Sequence, residues 1–112
     1  MLTTSKGRPP SLKEARKLLK NYALCSCIKY ITDDKKLKND ISSGIYFDIS
    51  NYSDSNVFSK IDSFSKITAL TIEPTQIADY GHQKPLLLGC ISFFQSKKLD
   101  SLVRTFDKIY SR

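Results

Sequence analysis

A chain of 112 residues, 40% of them hydrophobic, is long enough to bury one core and too short for two ordinary domains. Its 18 Lys and Arg residues against 11 Asp and Glu give a formal charge of +7, which favours anionic partners such as nucleic acid, anionic lipid or an acidic protein surface. No apolar run approaches the roughly 20 residues that a transmembrane helix needs. The lysines are scattered without a recognisable nucleic-acid-binding signature, so charge alone assigns no function.

The N-terminal segment MLTTSKGRPP lacks the apolar stretch that a secretory signal peptide contains. We expect a flexible tail over residues 1–10 and a single domain over residues 11–112. The protein is then expected to be either cytosolic or exported with its signal peptide removed. Three cysteines, at positions 25, 27 and 90, leave both compartments open, because two widely separated ones could close a long loop under oxidising conditions.

The first helix is predicted to begin at a capping box formed by Ser11 and Glu14, in which each side chain bonds the other residue's backbone N–H. Apolar spacing extends this helix to about Ile31, where Thr32-Asp33-Asp34 ends it and offers the next N-cap. A second amphipathic helix is then predicted from the spacing of Leu37, Ile41, Gly44, Ile45 and Ile49.

A polar turn, NYSDSN over residues 51–56, separates the second helix from a third. Apolar residues between Val57 and Leu70 recur at helical spacing and predict this third helix over about residues 54–72, before Pro74 ends it. The following segment, EPTQIADYGHQK (residues 73–84), has no sustained apolar period. We expect a loop there, and a structureless connection of about a dozen residues is uncommon and often functional.

The fourth helix is predicted to begin at Pro85, where the missing N–H costs nothing. Its apolar residues are Leu86, Leu87, Cys90, Phe93 and Phe94. Gln95-Ser96 breaks the period, and a final amphipathic helix follows with Leu99, Leu102, Val103, Phe106, Ile109 and Tyr110. Five helical segments joined mostly by short turns predict an all-α, single-domain helical bundle.

No group of residues is typical of an enzyme site. His82 is the only histidine and Cys25-x-Cys27 lacks the second ligand pair of a zinc motif, so we expect no metal and no cofactor. A Cys90–His82 nucleophilic pair is formally possible, but a cysteine in the run LLGCI is expected to be buried and unreactive or disulfide-bonded. The carboxylates show no acid–base pairing, and the four glycines form no phosphate loop. We therefore predict a non-enzyme with no catalytic residue.

Three segments, NYALCSCIKYI, NDISSGIYFDIS and LLLGCISFFQSKKLDSLVRTF, resemble the type VI secretion amidase immunity proteins, which protect bacteria from a peptidoglycan-cleaving effector. The resemblance covers about residues 15–110. The matching residues are Cys27-Ile28 in the first segment, Asp40, Ser42, Ser43 and Tyr46 in the second, and Leu86, Cys90-Ile91, Phe94, Ser96-Lys97 and Leu99-Asp100 in the third. The chain departs from the family pattern at Gly89, where a longer side chain is expected, at Ser92, where Asp is usual, and in the extra thiol of Cys25.

The resemblance implies an all-helical periplasmic homodimer that binds a cysteine amidase, in a complex that can reach two copies of each protein. In such complexes a loop enters the substrate cleft of the enzyme, assisted by a helix of the other subunit. We expect the residue 73–84 loop to serve this role, and the residues expected to bind the effector are Thr75, Gln76, Ala78, Asp79, Tyr80, Gly81 and His82.

Particular side chains of this loop have expected roles. Gly81 permits a turn with positive φ, Tyr80 offers an amphipathic contact, and His82 can hydrogen-bond near the catalytic thiol and imidazole of the enzyme. The alternative is a solvated connector without a binding role. The third helix is expected to supply the dimer or effector-binding surface, through residues on or beside its exposed face: Phe58, Lys60, Asp62, Ser63 and Lys66.

Cys27 and Cys90 lie in two of the matching motifs, and we expect them to be disulfide-bonded, tying the first helix to the fourth. Residues two apart on a helix point roughly 200° apart, so Cys25 and Cys27 cannot readily pair. Cys25 would remain a free thiol. The alternative is three reduced, buried thiols.

Two other function classes remain open on the sequence. One is a small basic helical adaptor that binds nucleic acid or an anionic protein in the cytosol, and the other is a structural subunit whose apolar stripes pair in an assembly. Nucleic-acid binding would weaken steeply with salt, which distinguishes the first class from an amidase inhibitor.

Overall fold

The computed structural model describes residues 9–110, which fold into helices without any strand. The α-helices are α1 (Leu12–Ile31), α2 (Lys35–Lys38), α3 (Ser42–Ile49), α4 (Asn56–Leu70), α5 (Leu86–Phe94) and α6 (Lys97–Arg104), and two 3-10 turns span Ala78–Tyr80 and Asp107–Ile109. The predicted all-α class is confirmed. The tail predicted for residues 1–10 falls mostly outside the described residues, as do the last two residues of the predicted domain.

Helix α1 is the centre of the fold and contacts each of the other five α-helices. It begins as predicted: the Ser11 hydroxyl accepts a hydrogen bond from the Glu14 N–H, and the Glu14 carboxylate accepts one from the Ser11 N–H. Its buried stripe recurs every fourth residue, which is the spacing of one helical face, and consists of Ala15, Leu19, Ala23 and Cys27. Small residues in this stripe allow the surrounding helices to approach α1 closely.

The predicted second helix is in fact two helices, α2 and α3, separated at Asn39–Ile41. The Asp40 carboxylate accepts a hydrogen bond from the Ser42 N–H at 2.9 Å. Such a local side-chain bond offers the backbone an alternative to the helical ladder. Leu37 and Ile41, which the spacing had placed on one buried face, are exposed instead.

The predicted final helix also ends early, because α6 stops at Arg104 and a 3-10 turn follows. The Thr105 hydroxyl donates to the Leu102 carbonyl at 2.6 Å and competes for the helical acceptors. Beyond this break the chain returns to the start of α1: the Tyr110 hydroxyl donates to the Pro10 carbonyl, and Tyr110 and Tyr52 have ring centroids 4.9 Å apart.

The core lies between α1, α4, α5 and α6. Its largest fully buried apolar side chains are Leu19, Ile61, Leu99, Val57 and Val103. Aromatic rings extend the core at its edges, with Phe64 of α4 meeting Phe93 of α5 edge to face at 5.5 Å. This contact joins the middle of α4 to the C-terminal end of α5, the two helices that the next loop connects.

Candidate functional site

The loop between α4 and α5 spans residues 71–85 and has a defined backbone conformation. The Thr75 N–H donates to the Gln83 carbonyl at 2.9 Å and closes the base of the loop. Above this bond, the Thr75 hydroxyl accepts from the Ile77 N–H, and a single 3-10 turn forms at Ala78–Tyr80. The sequence analysis expected a loop without regular structure. The loop is present, but local hydrogen bonds give its backbone a defined conformation that includes one 3-10 turn.

Gly81 follows the 3-10 turn with φ 63° and ψ −133°. The predicted positive φ at this residue is confirmed. No heavy atom lies within 4 Å of the position that a Cβ would occupy, so the requirement for glycine here comes from the backbone rather than from crowding.

The loop places its side chains in solvent. Residues 76–84 are all exposed, whereas Thr75 is half-buried at the base of the loop. In the part of the chain that the structure describes, the side chains of Gln76, Asp79, Tyr80 and His82 make no hydrogen bond or ion pair to the helices. Six of the seven predicted contact residues thus share one accessible segment, while Thr75 holds the loop closed.

Ile77 belongs to this surface and was missed by the sequence reasoning. Its side chain is 58% exposed, as is that of Tyr80, three residues later. The signal was present, since Ile77 is the one aliphatic side chain larger than alanine in an otherwise polar and aromatic segment. Two large exposed apolar groups give the loop more area to bury than its polar side chains alone.

The base of the loop is held against α5. A Cβ on Gly89 would lie only 2.6 Å from the Cδ1 of Ile72, so Ile72 packs directly over Gly89. One residue further along, Cys90 is bonded to Cys27 of α1 by a disulfide, with 5.7 Å between the two Cα atoms. The structure therefore contains the expected disulfide and attaches the second end of the loop covalently to the central helix.

The predicted surface on the third helix, now α4, needs two corrections. Phe58 is buried, because its ring packs between Tyr22 at 5.1 Å and Phe47 at 4.4 Å. Asp62 is half-buried and already has intramolecular partners. The remaining predicted residues, Lys60, Ser63 and Lys66, are exposed.

Asp62 links α4 to the end of α1. Its carboxylate accepts a hydrogen bond from the Tyr30 hydroxyl at 2.6 Å and lies 3.5 Å from the Lys29 ammonium. The bond to the carboxylate, together with partial burial, raises the pKa of Tyr30 to about 12. The Lys66 ammonium lies 5.8 Å from the centre of the Tyr30 ring, a distance at which the ring attracts a cation. These contacts make Asp62 a structural residue.

Carboxylates of the C-terminal segment are likewise used within the fold. Asp100 contacts the Lys20 ammonium at 2.6 Å and the Arg104 guanidinium at 2.8 Å, and these bonds lower its pKa to about 2. Asp107 pairs with Arg16, whose Nε lies 3.0 Å from Oδ1, and this contact lowers the pKa of Asp107. The Lys20 and Arg16 ion pairs join α6 and the 3-10 turn after it to α1.

Helix α5 is apolar on both faces. Cys90 and Phe93 are buried, whereas Leu87, Leu88 and Ile91 are more than half exposed. Leu87, which the sequence analysis named among the apolar residues of this helix, faces solvent. An apolar run without polar interruption, LLLGCI, was the available signal that this helix has a second face to cover.

The titratable and thiol groups do not come together as a reactive or metal-binding site in residues 9–110. No three His, Cys, Asp or Glu side chains there are close enough to hold a metal ion. Cys90 is disulfide-bonded and so is not available to pair with His82 as a nucleophile. Cys25 is free and half-buried, and burial raises the pKa of its thiol, which disfavours the reactive thiolate. None of the described helices is long and apolar enough to cross a membrane.

Comparison with known families agrees with the resemblance drawn from the sequence. A family model described as type VI secretion system (T6SS), amidase immunity protein, matches residues 17–103, which is more than half of the chain. No curated protein and no solved structure matches the chain. The matched segment runs from the second turn of α1 to the end of α6 and includes the loop and both disulfide cysteines. The chain therefore belongs to the type VI secretion system amidase immunity protein family.

Proposed function

We propose that this protein binds a peptidoglycan-cleaving cysteine amidase of a type VI secretion system and inhibits it by inserting the residue 75–82 loop into the active-site cleft. The family assignment supplies the class of partner. The observation that carries the proposal is that this loop is ordered at its base yet exposes every side chain from Gln76 to His82.

An ordered, exposed loop is well suited to block a cleft that accepts an extended peptide. A preformed loop loses less conformational entropy on binding than a mobile one. Tyr80 and Ile77 can bury apolar area, while Asp79, Gln76 and His82 can replace the hydrogen bonds of the polar substrate. Because the C-terminal end of the loop leads into α5, and the disulfide links α5 to α1, this end of the loop has little freedom to move when a partner binds.

The test is replacement of residues 76–82 by a Gly-Ser linker of equal length. Since these residues are exposed and no hydrogen bond or ion pair seen among residues 9–110 joins their side chains to the helices, we expect circular dichroism and thermal unfolding to remain nearly unchanged. Inhibition of peptidoglycan cleavage by the cognate amidase should weaken by orders of magnitude. If the variant with the linker still inhibits the amidase with comparable affinity, the recognition surface lies on the helices.

A point variant with a matched control refines this test. Tyr80→Ala removes a side chain that is 58% exposed in the loop, and Leu37→Ala removes one that is 51% exposed on α2. We expect only Tyr80→Ala to raise the dissociation constant, by about tenfold to hundredfold, as for an interface aromatic residue. Equal effects of the two substitutions would contradict a specific role for the loop.

We also propose that the protein acts in the periplasm as a homodimer. A disulfide between buried cysteines is typical of an oxidising compartment. The exposed side chains Leu87, Leu88 and Ile91 of α5 form an apolar face that a second copy would cover. The α4 residues Lys60, Ser63 and Lys66 are the alternative surface for the dimer or the effector.

Light scattering of the Leu88→Glu variant tests the dimer. We expect a dimer mass for the wild-type protein and a monomer mass for this variant at micromolar concentration, because a buried charge at the interface is strongly unfavourable. Ile41→Glu, at an even more exposed apolar position on the α2–α3 connection, serves as the control and should remain dimeric. A wild-type monomer across this concentration range would exclude a stable dimer.

A further inference from the structure

A shallow groove of about 600 Å³ lies between α4 and α6. These two helices both pack against α1 and α5 but make few contacts with each other. Both apolar side chains and lysines line the groove. The residues that line it are Lys60, Phe64, Ile67, Lys97, Lys98, Ser101 and Leu102.

The charges of this groove are uncompensated. Lys60, Lys97 and Lys98 are exposed, and none of them takes part in an ion pair seen among residues 9–110. By contrast, Lys20 and Lys29 on α1 each pair with an aspartate. The groove therefore offers a partner three ammonium groups that take no part in the ion pairs of the described residues.

Helix stability does not explain why two of these lysines are where they are. Lys97 and Lys98 occupy the first turn of α6, where positive charge opposes the helix dipole and acidic residues are favoured. The same dipole adds to the attraction that the two ammonium groups exert on an anion. Between them and Lys60, the exposed side chain of Ile67 offers apolar contact.

We infer that this groove binds an acidic segment of the amidase effector, one that carries an apolar side chain between carboxylates. The inference rests on the proposed function for the identity of the partner. The apolar side chain would cover Phe64, Ile67 and Leu102, and the carboxylates would pair with the three lysines. Ile67 lies one turn before the end of α4, where the loop begins, so one partner can reach both surfaces.

The shape of the groove favours a protein segment over other anionic partners. A nucleic acid presents a row of phosphates and would leave the apolar residues of the groove in contact with water. A lipid acyl chain requires an enclosed apolar cavity or a bilayer, whereas this groove is open and is lined by only three apolar side chains. A side chain projecting from a helix or an extended segment can cover the apolar residues of the groove while neighbouring carboxylates meet its lysines.

The experiment measures the affinity of two charge-reversal variants of the full chain for the cognate amidase. The cognate amidase is the enzyme that the wild-type protein inhibits. The groove variant is Lys60→Glu, Lys97→Glu and Lys98→Glu, and the control is Lys35→Glu, Lys36→Glu and Lys38→Glu on α2. Both change the net charge equally. Two of the groove substitutions also place acidic residues in a first helical turn, so folding is not expected to suffer.

We expect the groove variant to raise the dissociation constant about tenfold to hundredfold at 0.15 M salt, and less at 0.5 M, while the control changes it by less than about threefold. Ile67→Ser should also weaken binding, and Ile41→Ser, at an even more exposed position outside the groove, should not. Equal dissociation constants for the groove variant and its control would overturn the inference while leaving the loop proposal intact.

A second measurement does not depend on the amidase. A fluorescent synthetic helix of Glu and Leu, with carboxylates flanking one leucine face, serves as the probe. We expect it to bind the wild-type protein and to lose at least tenfold in affinity for the groove variant but not for the control. If the peptide binds the two variants equally, the inference is overturned. It is also overturned if the groove variant, but not the control, loses binding to phosphatidylglycerol vesicles or duplex DNA and keeps binding to the peptide.

Discussion

The loop of residues 71–85 and the C-terminal segment after α6 are both irregular connections, yet they use their polar groups in opposite ways. In the C-terminal segment, Asp107 pairs with Arg16 and the hydroxyl of Tyr110 reaches the carbonyl of Pro10. In the loop, the backbone groups close the base and the side chains of residues 76–82 point into solvent. An irregular segment can therefore either stabilise the fold or present a surface to a partner. Side chains bonded within the fold indicate the first role, and exposed side chains without such bonds indicate the second.

The strongest way to weaken the scaffold is to remove the disulfide. The Cys27→Ala, Cys90→Ala variant releases a constraint across 63 residues, and the chain-entropy model assigns it about 4 kcal/mol of unfolding free energy. Urea unfolding of oxidised protein should show this loss, with residual inhibition limited by the fraction folded. The Cys25→Ala variant is the control, since Cys25 is free. Unchanged stability in the double variant would show that the bond does not support the scaffold.

A second prediction contrasts a buried apolar side chain with an exposed one. Leu19→Ala empties a fully buried position at the centre of α1 and should lower the unfolding free energy by about 3 kcal/mol, because a cavity remains. Ile77→Ala, in the loop, should change stability by less than about 0.5 kcal/mol. It should instead weaken amidase binding. Chemical unfolding and binding titrations measure the two effects. A large loss of stability in Ile77→Ala, or unchanged stability in Leu19→Ala, would contradict the prediction.

The backbone conformation of Gly81 tests whether the shape of the loop matters for binding. Gly81→Ala forces a side chain into a backbone conformation with φ 63°, at a local cost of about 1–2 kcal/mol that the exposed loop can relieve by changing shape. We expect the melting temperature to shift by only a few degrees and amidase affinity to fall about tenfold. Gly44→Ala in α3 is the control: open space surrounds its Cβ position, and it should stabilise the helix slightly. Unaltered inhibition by Gly81→Ala would show that loop shape is unimportant.

The smallest predicted effect is a pH dependence that belongs to the C-terminal segment. The Lys20 and Arg104 side chains lower the pKa of Asp100 from 3.8 to about 2, and Arg16 lowers that of Asp107. A lowered folded-state pKa stabilises the protein above the unfolded value, and this contribution is lost as the pH falls from about 4 toward 2.

Thermal unfolding between pH 5 and pH 2 measures this effect. Asp107→Asn should lower the melting temperature by a few degrees at neutral pH and reduce the slope in acid, because one ion pair is absent at every pH. Asp33→Asn is the control, since Asp33 takes part in no ion pair seen in the described part of the chain. Parallel acid profiles for wild-type protein and the Asp107 variant would contradict the assignment.

Much of the molecule was predictable from local patterns. The capping box at Ser11, the turn before α4 and the apolar period of α1 locate three helix boundaries to within about two residues. The need for glycine at position 81 also followed from turn chemistry. These features depend on neighbouring residues only, so sequence spacing is sufficient to reveal them.

Other features escaped because local bonds or distant packing decided them. Asp40 divides the second helix by bonding the Ser42 N–H, although apolar spacing continues across the break. Phe58 was predicted on or beside an exposed face, but its ring is enclosed by Tyr22 and Phe47. Leu87, in the strongly apolar α5, is more than half exposed. On a helix that is apolar on several sides, periodicity cannot tell which side faces the core.

An all-helical chain, its family and the position of an unusual loop could be predicted from the sequence, because these depend on short-range spacing and on residue types that recur in order. The central place of α1, the joint exposure of residues 76–82 and the groove shared by lysines of α4 and α6 could be seen only in the folded chain. Burial and charge proximity arise when helices pack in three dimensions, where residues some forty positions apart become neighbours.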